Sequence, residues 1–329
     1  MRSHVLGVLA AAGVAVVLSG ASARAQDTAQ AHVDRARELS AQDLAVFNTT
    51  CGGIQALQPP RAAPAAGRGR GAAPAARVTP ARSEWHADPV KVFDNLYWLG
   101  QTAYSAWAVT TSEGIIIIDT LFDYSVEDEV VNGLRTLGLD PADNKYVIVS
   151  HGHGDHSGGA KLLQDRFGAR VILSAADWDL LDRSSGTKPR RDMVATDGMA
   201  LTLGDTTLTL YVTPGHTPGT ISTLIPVKDG GASHLVAEWG GTAFNFQQTR
   251  DNFGTYASSA ERFRGIVARA GADVVIANHP TFDGTNVKMP ALRARTAGDP
   301  HPWVVGNAGV QRYVEIAEEC AKAGLLAAP

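Results

Sequence analysis

KYVIVSHGHGDHSGG, residues 145–159, places three histidines and an aspartate within six positions, directly after an apolar run. The whole chain holds 10 histidines in 329 residues, so this density constrains the fold more than any other feature. A short apolar run bounded by glycines reads as a buried strand. Alternate residues leaving a strand share a face, so His151 and His153 aim the same way. Asp155 and His156 come one step later, where the backbone enters the helix GGAKLLQDRFG. The four glycines 152, 154, 158 and 159 are expected to let the chain fold tightly there. Imidazole and carboxylate at this spacing are metal ligands. Two further histidines stand where a strand meets a loop: His216 in TPGHTPGT and His279 in VVIANHP. The candidate ligands are therefore His151, His153, His216, Asp155, His156 and His279. His4, His32, His86, His234 and His301 occur singly and read as surface or core residues.

The flanking pattern gives the fold class. VKVFDNLYWLGQ reads as two strands around an Asp94-Asn95 turn, and SAWAVTTSEGIIIIDT as a second pair. IIII, residues 115–118, has the continuous apolar character of a strand buried on both faces. VEDEVVNGLRTLGL has helical spacing, and ARVILS follows as a strand. The second half repeats this arrangement, with ALTLGDTTLTLYVTPGH, TISTLIPV and SHLVAEW as strands, SSAERFRGIVARAG as a helix, ADVVIANHP as a strand, and VQRYVEIAEECAKAGLL as a closing helix. Strands precede helices in both halves, with the ligands at strand ends. This predicts an α/β fold of two sheets sandwiched between helices, with the site along one edge.

Hydrophobic residues make up 44% and charged residues 19%, enough for an ordinary core, and a net charge of -4 gives nucleic acid no footing. Residues 1–25 read as a signal peptide: a basic start, an apolar run from Val5 to Leu18, and small residues Ala23 and Ala25 before the cut. The apolar run is shorter than the roughly 18–20 residues a membrane span needs. A periplasmic or secreted protein is expected, with no membrane association after cleavage. Residues 26–58 include the helical pattern QAHVDRARELSAQDLAVF. Residues 59–84 are rich in Pro, Ala, Gly and Arg and read as a solvated linker. The catalytic domain is expected over 85–329. Cys51 and Cys320, the two cysteines, are either a disulfide or two separate buried thiols, and an oxidising compartment permits the bond.

SHGHGDHSGG, GHTPGT and NHP, with IIIIDT upstream, resemble the metallo-β-lactamase superfamily from about Trp85 to Cys320. The resemblance implies a four-layer αββα sandwich and two zinc ions per chain. One would be held by His151, His153 and His216, the other by Asp155, His156 and His279. Asp119, after the buried strand, would orient a ligand from behind. His151, His153 and Asp155 would carry the catalysis.

Thioesterase, lactonase and nuclease branches of the superfamily share an aspartate that bridges both metals. Here the corresponding strand reads HLVAEWGGTAF, with Gly240-Gly241 at that place. Class B subclass 3 β-lactamases are similar in lacking that ligand. Their opening strands and final helix also resemble PVKVFDNLYWLGQ and YVEIAEECAKA. They usually carry Asp-Ser in place of the glycine pair, and a cysteine where residues 270–273 are Ala-Gly-Ala-Asp. Glu238, close to the pair, reads as a strand-end residue before it reads as a substitute ligand. The implied activity is opening of the β-lactam amide of a small-molecule substrate, which would make the chain an antibiotic-resistance enzyme. Zinc brings the pKa of bound water towards about 7 and so supplies hydroxide at neutral pH. Thr242, Asn245 and Arg250 are candidate donors to a substrate carboxylate. The alternatives are a hydrolase of the same fold acting on an ester, thioester or lactone, and a non-catalytic zinc-binding module. Oligomeric state is not readable from the sequence.

Overall fold

The computed structural model describes residues 27–40, 44–58 and 79–329. The expected signal peptide and most of the linker lie outside the described residues. Ahead of the first strand come α1 (Ala29–Leu39), α2 (Leu44–Thr50) and α3 (Arg82–Trp85). The first sheet runs in chain order through β1 (Val90–Lys91), β2 (Leu96–Trp98), β3 (Trp107–Thr111), β4 (Gly114–Ile118), β5 (Asn144–Ile148), β6 (Arg170–Ser174) and β7 (Met193–Ala195). Pairing is antiparallel up to β4 and parallel from β4 to β7. Parallel neighbours need crossovers. These are a π-helical turn over Glu127–Val131 leading into α4 (Asn132–Thr136), then α5 (Gly154–Ser157) with α6 (Ala160–Phe167), and α7 (Ala175–Arg183).

The second sheet holds β8 (Met199–Leu203), β9 (Thr206–Val212), β10 (Ile221–Asp229), β11 (Ala232–Trp239) and β12 (Val274–Ala277), in the order β12-β11-β10-β9-β8. Its outer face carries α8 (Arg250–Ala270) and α11 (Gly306–Ala327), with α9 (Pro280–Asp283) and α10 (Thr285–Ala294) between β12 and α11. The result is the four-layer sandwich. Alternation along β4 shows why: Ile116 and Ile118 join the core between the sheets, while Ile115 and Ile117 pack under the outer helices.

Local expectations differ from the outcome in four places. The helix expected from Ser258 begins at Arg250, because Thr249 caps it by accepting from the Asn252 N–H. The single helical pattern over residues 30–47 is two helices, α1 ending at Leu39 and α2 starting at Leu44. The stretch 79–84, placed in the linker, is ordered against the domain: α3 lies there, and Trp85 donates its indole N–H to the Pro80 carbonyl. Finally, α7, β7 and α10 had no sequence signal strong enough to place them. In the N-terminal segment, α1 and α2 pack on α11, and Val46, Phe47 and Ile54 enter the core beneath that helix. Cys51 and Cys320 are joined as a disulfide with Cα atoms 4.8 Å apart.

Candidate metal centre

Every candidate ligand stands at the same edge of the sandwich. His151 to His156 follow β5, His216 lies in the loop from β9 to β10, and His279 follows β12. Two groups form. His151, His153 and His216 bring ring nitrogens together within 4.8 Å, as do the donor atoms of Asp155, His156 and His279. In the first group, His216 Nε2 lies 3.0 Å from His151 Nε2 and 3.1 Å from His153 Nδ1.

The backbone selects which nitrogen faces inward. His151 donates Nδ1–H to the Gly240 carbonyl at 2.9 Å, His216 to Ala243 at 2.7 Å, and His279 to Ala103 at 3.0 Å. Each therefore presents Nε2 as a lone pair. His156 is held differently, with Nδ1 2.8 Å from Asp119 Oδ2. Asp119 also accepts from the Ser150 N–H and hydroxyl. It sits at φ +59°, a left-handed conformation costly for a residue with a Cβ, where β4 ends and the chain turns to aim this carboxylate.

Burial and charge set the protonation of these side chains. Burial, with neighbouring imidazoles, holds His216 down at about 3 and His279 at about 4. His151 and His153 are lowered for the same first reason. His156 is the exception. Burial opposes its charge, but Asp155 and Asp119 outweigh it and raise the imidazole to about 10. Burial likewise works against Asp155, yet His156 and His279 hold its carboxyl well below the usual range. The donor chemistry fits divalent metal: three neutral nitrogens in one group, one carboxylate and two nitrogens in the other. The buried His156 Nε2 lies 3.2 Å from Asp155 Oδ2, so the two donor atoms face one another as co-ligands of one metal would.

The glycines serve by leaving space. A Cβ on Gly159 would stand 2.4 Å from the Thr120 carbonyl oxygen, so the histidine turn can press against the loop after Asp119. Neither this residue nor its neighbours 152, 154 and 158 has a positive φ; close approach calls for glycine at 158 and 159, whereas a Cβ on Gly154 would meet nothing within 4 Å. Gly240 is tighter still and Gly241 similar: a Cβ on the first would lie 1.7 Å from the Ile221 carbonyl oxygen, and on the second 2.5 Å from the His216 Cβ.

Two acids take roles that sequence spacing does not show. Asp177 in α7 accepts from the Gly152 N–H, the Thr217 hydroxyl and the Gly219 N–H, so it ties the turn between His151 and His153 to the loop around His216. No spacing rule links residue 177 to either motif. Glu238 is buried at 1% exposure, and neither carboxylate oxygen has a hydrogen-bond partner among the described residues. It joins neither ligand group. Burial, then the nearby Asp119, pushes it up to about 8.

Of the expected substrate donors, Thr242 is buried beside Gly241, while Asn245 and Arg250 are exposed. None of the three lines the cavity of about 980 Å³ that opens at Gly152, Gly154 and Asp155. His32, His86 and His234 pair with carboxylates, and His301 is buried against the Val92 carbonyl; all four stand apart from the centre. Among the described residues no helix is long and apolar enough to cross a membrane.

The sequence profile described as the metallo-beta-lactamase superfamily matches residues 99–231. Metallo-beta-lactamase domain-containing protein 1 of Xenopus laevis is 30% identical over 182 residues, covering 53% of this chain and 71% of that protein. The chain belongs to the metallo-beta-lactamase superfamily. N-acyl homoserine lactonase AttM of Azorhizobium caulinodans is 28% identical over 189 residues, 50% of this chain and 69% of the lactonase. Among solved structures, BJP-1, a subclass B3 metallo-beta-lactamase of Bradyrhizobium japonicum, matches with a TM-score of 0.59 and 25% identity, over 70% of this chain and 91% of that one. Membership makes the protein a metallo-hydrolase, with a divalent metal as cofactor and a small molecule as substrate.

Proposed function

We propose that this metallo-beta-lactamase superfamily member is a secreted, dinuclear zinc β-lactamase of the subclass B3 type. The observation that carries the reading is the glycine pair. With Gly241 against His216 there is no room for a side chain that would bridge two metals. The centre is thus built from the three-histidine group and the Asp155/His156/His279 group alone. The likeness to BJP-1 over most of its length supports the same branch.

His151, His153 and His216 would hold one ion and Asp155, His156 and His279 the other. Zinc held there would supply Lewis acidity toward the amide carbonyl and lower the pKa of a water. The protein's part is orientation. The carbonyls of Gly240, Ala243 and Ala103 fix three imidazoles by their Nδ1–H, and Asp119 fixes the fourth. Asp177 keeps the two histidine loops in register. Asp155, 22% exposed, is the ligand side chain that faces the large cavity. The leader at residues 1–25 and the Cys51–Cys320 bridge support an oxidising compartment outside the cytoplasm. Residues 85–329 would form the catalytic unit, with α1 and α2 packed on α11.

A second reading is a lactone or ester hydrolase, favoured by the likeness to the N-acyl homoserine lactonase. Hydrolysis of a chromogenic cephalosporin and of a carbapenem by the zinc-loaded chain separates the two. Turnover abolished by chelator and by His151→Ala is expected. A protein that holds two zinc ions per chain and opens neither drug, but opens lactones, removes the β-lactamase reading.

A further inference from the structure

The cavity beside the metal centre has a chemical character of its own. One wall is the stacked pair Phe122 and Tyr124, with ring centroids 5.0 Å apart and planes at 14°. Leu181, the hydroxyl-rich loop over residues 184–187, Thr79 and Pro80 also line it. At about 980 Å³ it can take a bulky organic group. Among the described residues no lysine or arginine lines it; apart from Asp155, its one charged residue is Asp123. Thr187 donates its hydroxyl to Asp123 Oδ2 at 3.1 Å, which fixes the carboxylate against the 184–187 loop. Asp123 Oδ1 makes no hydrogen bond among the described residues, so it remains open to a ligand. An aromatic face attracts cations as well as rings, and a carboxylate beside it adds to that preference.

We propose that this cavity seats the acyl side chain of the substrate, and that Asp123 selects there for uncharged or cationic aromatic groups against anionic ones. The proposal rests on the hydrolase reading above and names the substrate class within it. Asp123 touches neither ligand group, so its role is specificity.

The test compares three penicillins that differ only at the benzyl carbon of the side chain: unsubstituted, α-amino and α-carboxy. The same three acyl groups are offered as N-acyl homoserine lactones. The zinc-loaded full chain, Asp123→Asn and Asp123→Lys are assayed at low and high salt, at a pH where the amine is charged. Asn keeps an acceptor for the Thr187 hydroxyl, so that wall contact survives. The expected kcat/KM preference for α-amino over α-carboxy is about tenfold at low salt, shrinking as salt screens it. It should fall at least about threefold in Asp123→Asn and reverse in Asp123→Lys. An identical ratio in all three proteins overturns the proposal, as does a wild-type preference for the α-carboxy group. Lactones turned over with the charge order, and penicillins not at all, would remove the β-lactam reading and leave the subsite standing. Turnover of neither series removes both.

Discussion

Gly241 stands so close to His216 that a Cβ on it would lie 2.5 Å from the His216 Cβ, a separation real Cβ atoms essentially never show. Backbone and ligand histidine therefore share one space. Gly241→Asp, which supplies the bridging carboxylate of other branches, is expected to displace His216. Metal content should fall by about one ion per chain, and kcat/KM by at least about a hundredfold, because a moved ligand misplaces the reacting atoms. Metal analysis of the purified variant checks this. An active variant with two ions would show that the loop yields easily.

Protons should report on the order of metal binding. Below about 10, His156 carries a proton that metal must displace, whereas His216, held at about 3, carries none at neutral pH. Binding to the Asp155/His156/His279 group should release up to about one proton per ion near pH 7, and its affinity should rise about tenfold per pH unit towards pH 10. Binding to the three-histidine group should release almost none from its ligands, leaving only what a metal-bound water gives up. Asp119→Asn should weaken binding to the Asp155/His156/His279 group about 10- to 100-fold and reduce its proton release. Calorimetry in buffers of different ionisation enthalpy measures both quantities.

Glu238 makes stability fall with rising pH. Its folded value of about 8 exceeds the unfolded carboxyl value, so between the two the native state binds the extra proton. The contribution is most favourable below the unfolded pKa and is lost as pH rises to about 8. Glu238→Gln removes this slope. Denaturant midpoints measured from pH 5 to 9 should drop in the parent chain and run flatter in the variant.

Asp177 holds two loops by three hydrogen bonds while touching no ligand. Asp177→Ala is expected to lower kcat/KM about 10- to 100-fold with a matching loss of metal affinity. Asp177→Asn, which keeps one acceptor oxygen, should recover part of it. Equal loss in both variants would point to general destabilisation instead.

The Cys51–Cys320 bridge closes a separation of 269 residues and clamps the turn after α2 to α11. Replacing both cysteines by serine should cost about 2–5 kcal/mol in denaturant unfolding. Proteolysis near Cys51 should accelerate. No change in either measurement would mean that α1 and α2 are held by packing alone.

Periodicity and ligand spacing were local signals, and they carried far. The isoleucine run of β4, the strand before His151 and the two outlying histidines were all legible, because strand alternation and a ligand-dense turn are written within a few residues. The same locality explains what was not. The start of α8 depends on one capping threonine, and α7 on packing against its sheet. Asp177 and Glu238 look like ordinary surface acids in the chain; only burial between packed layers gives one three donors and the other none.

Short-range patterning along the chain was enough for the two-sheet class, the six candidate ligands and the glycine pair. Packing had to settle which nitrogen of each imidazole faces inward and whether the two cysteines pair. It also set the character of the cavity beside Asp155. Each of these depends on distances between segments far apart in the chain, and such distances exist only once the sheets have packed.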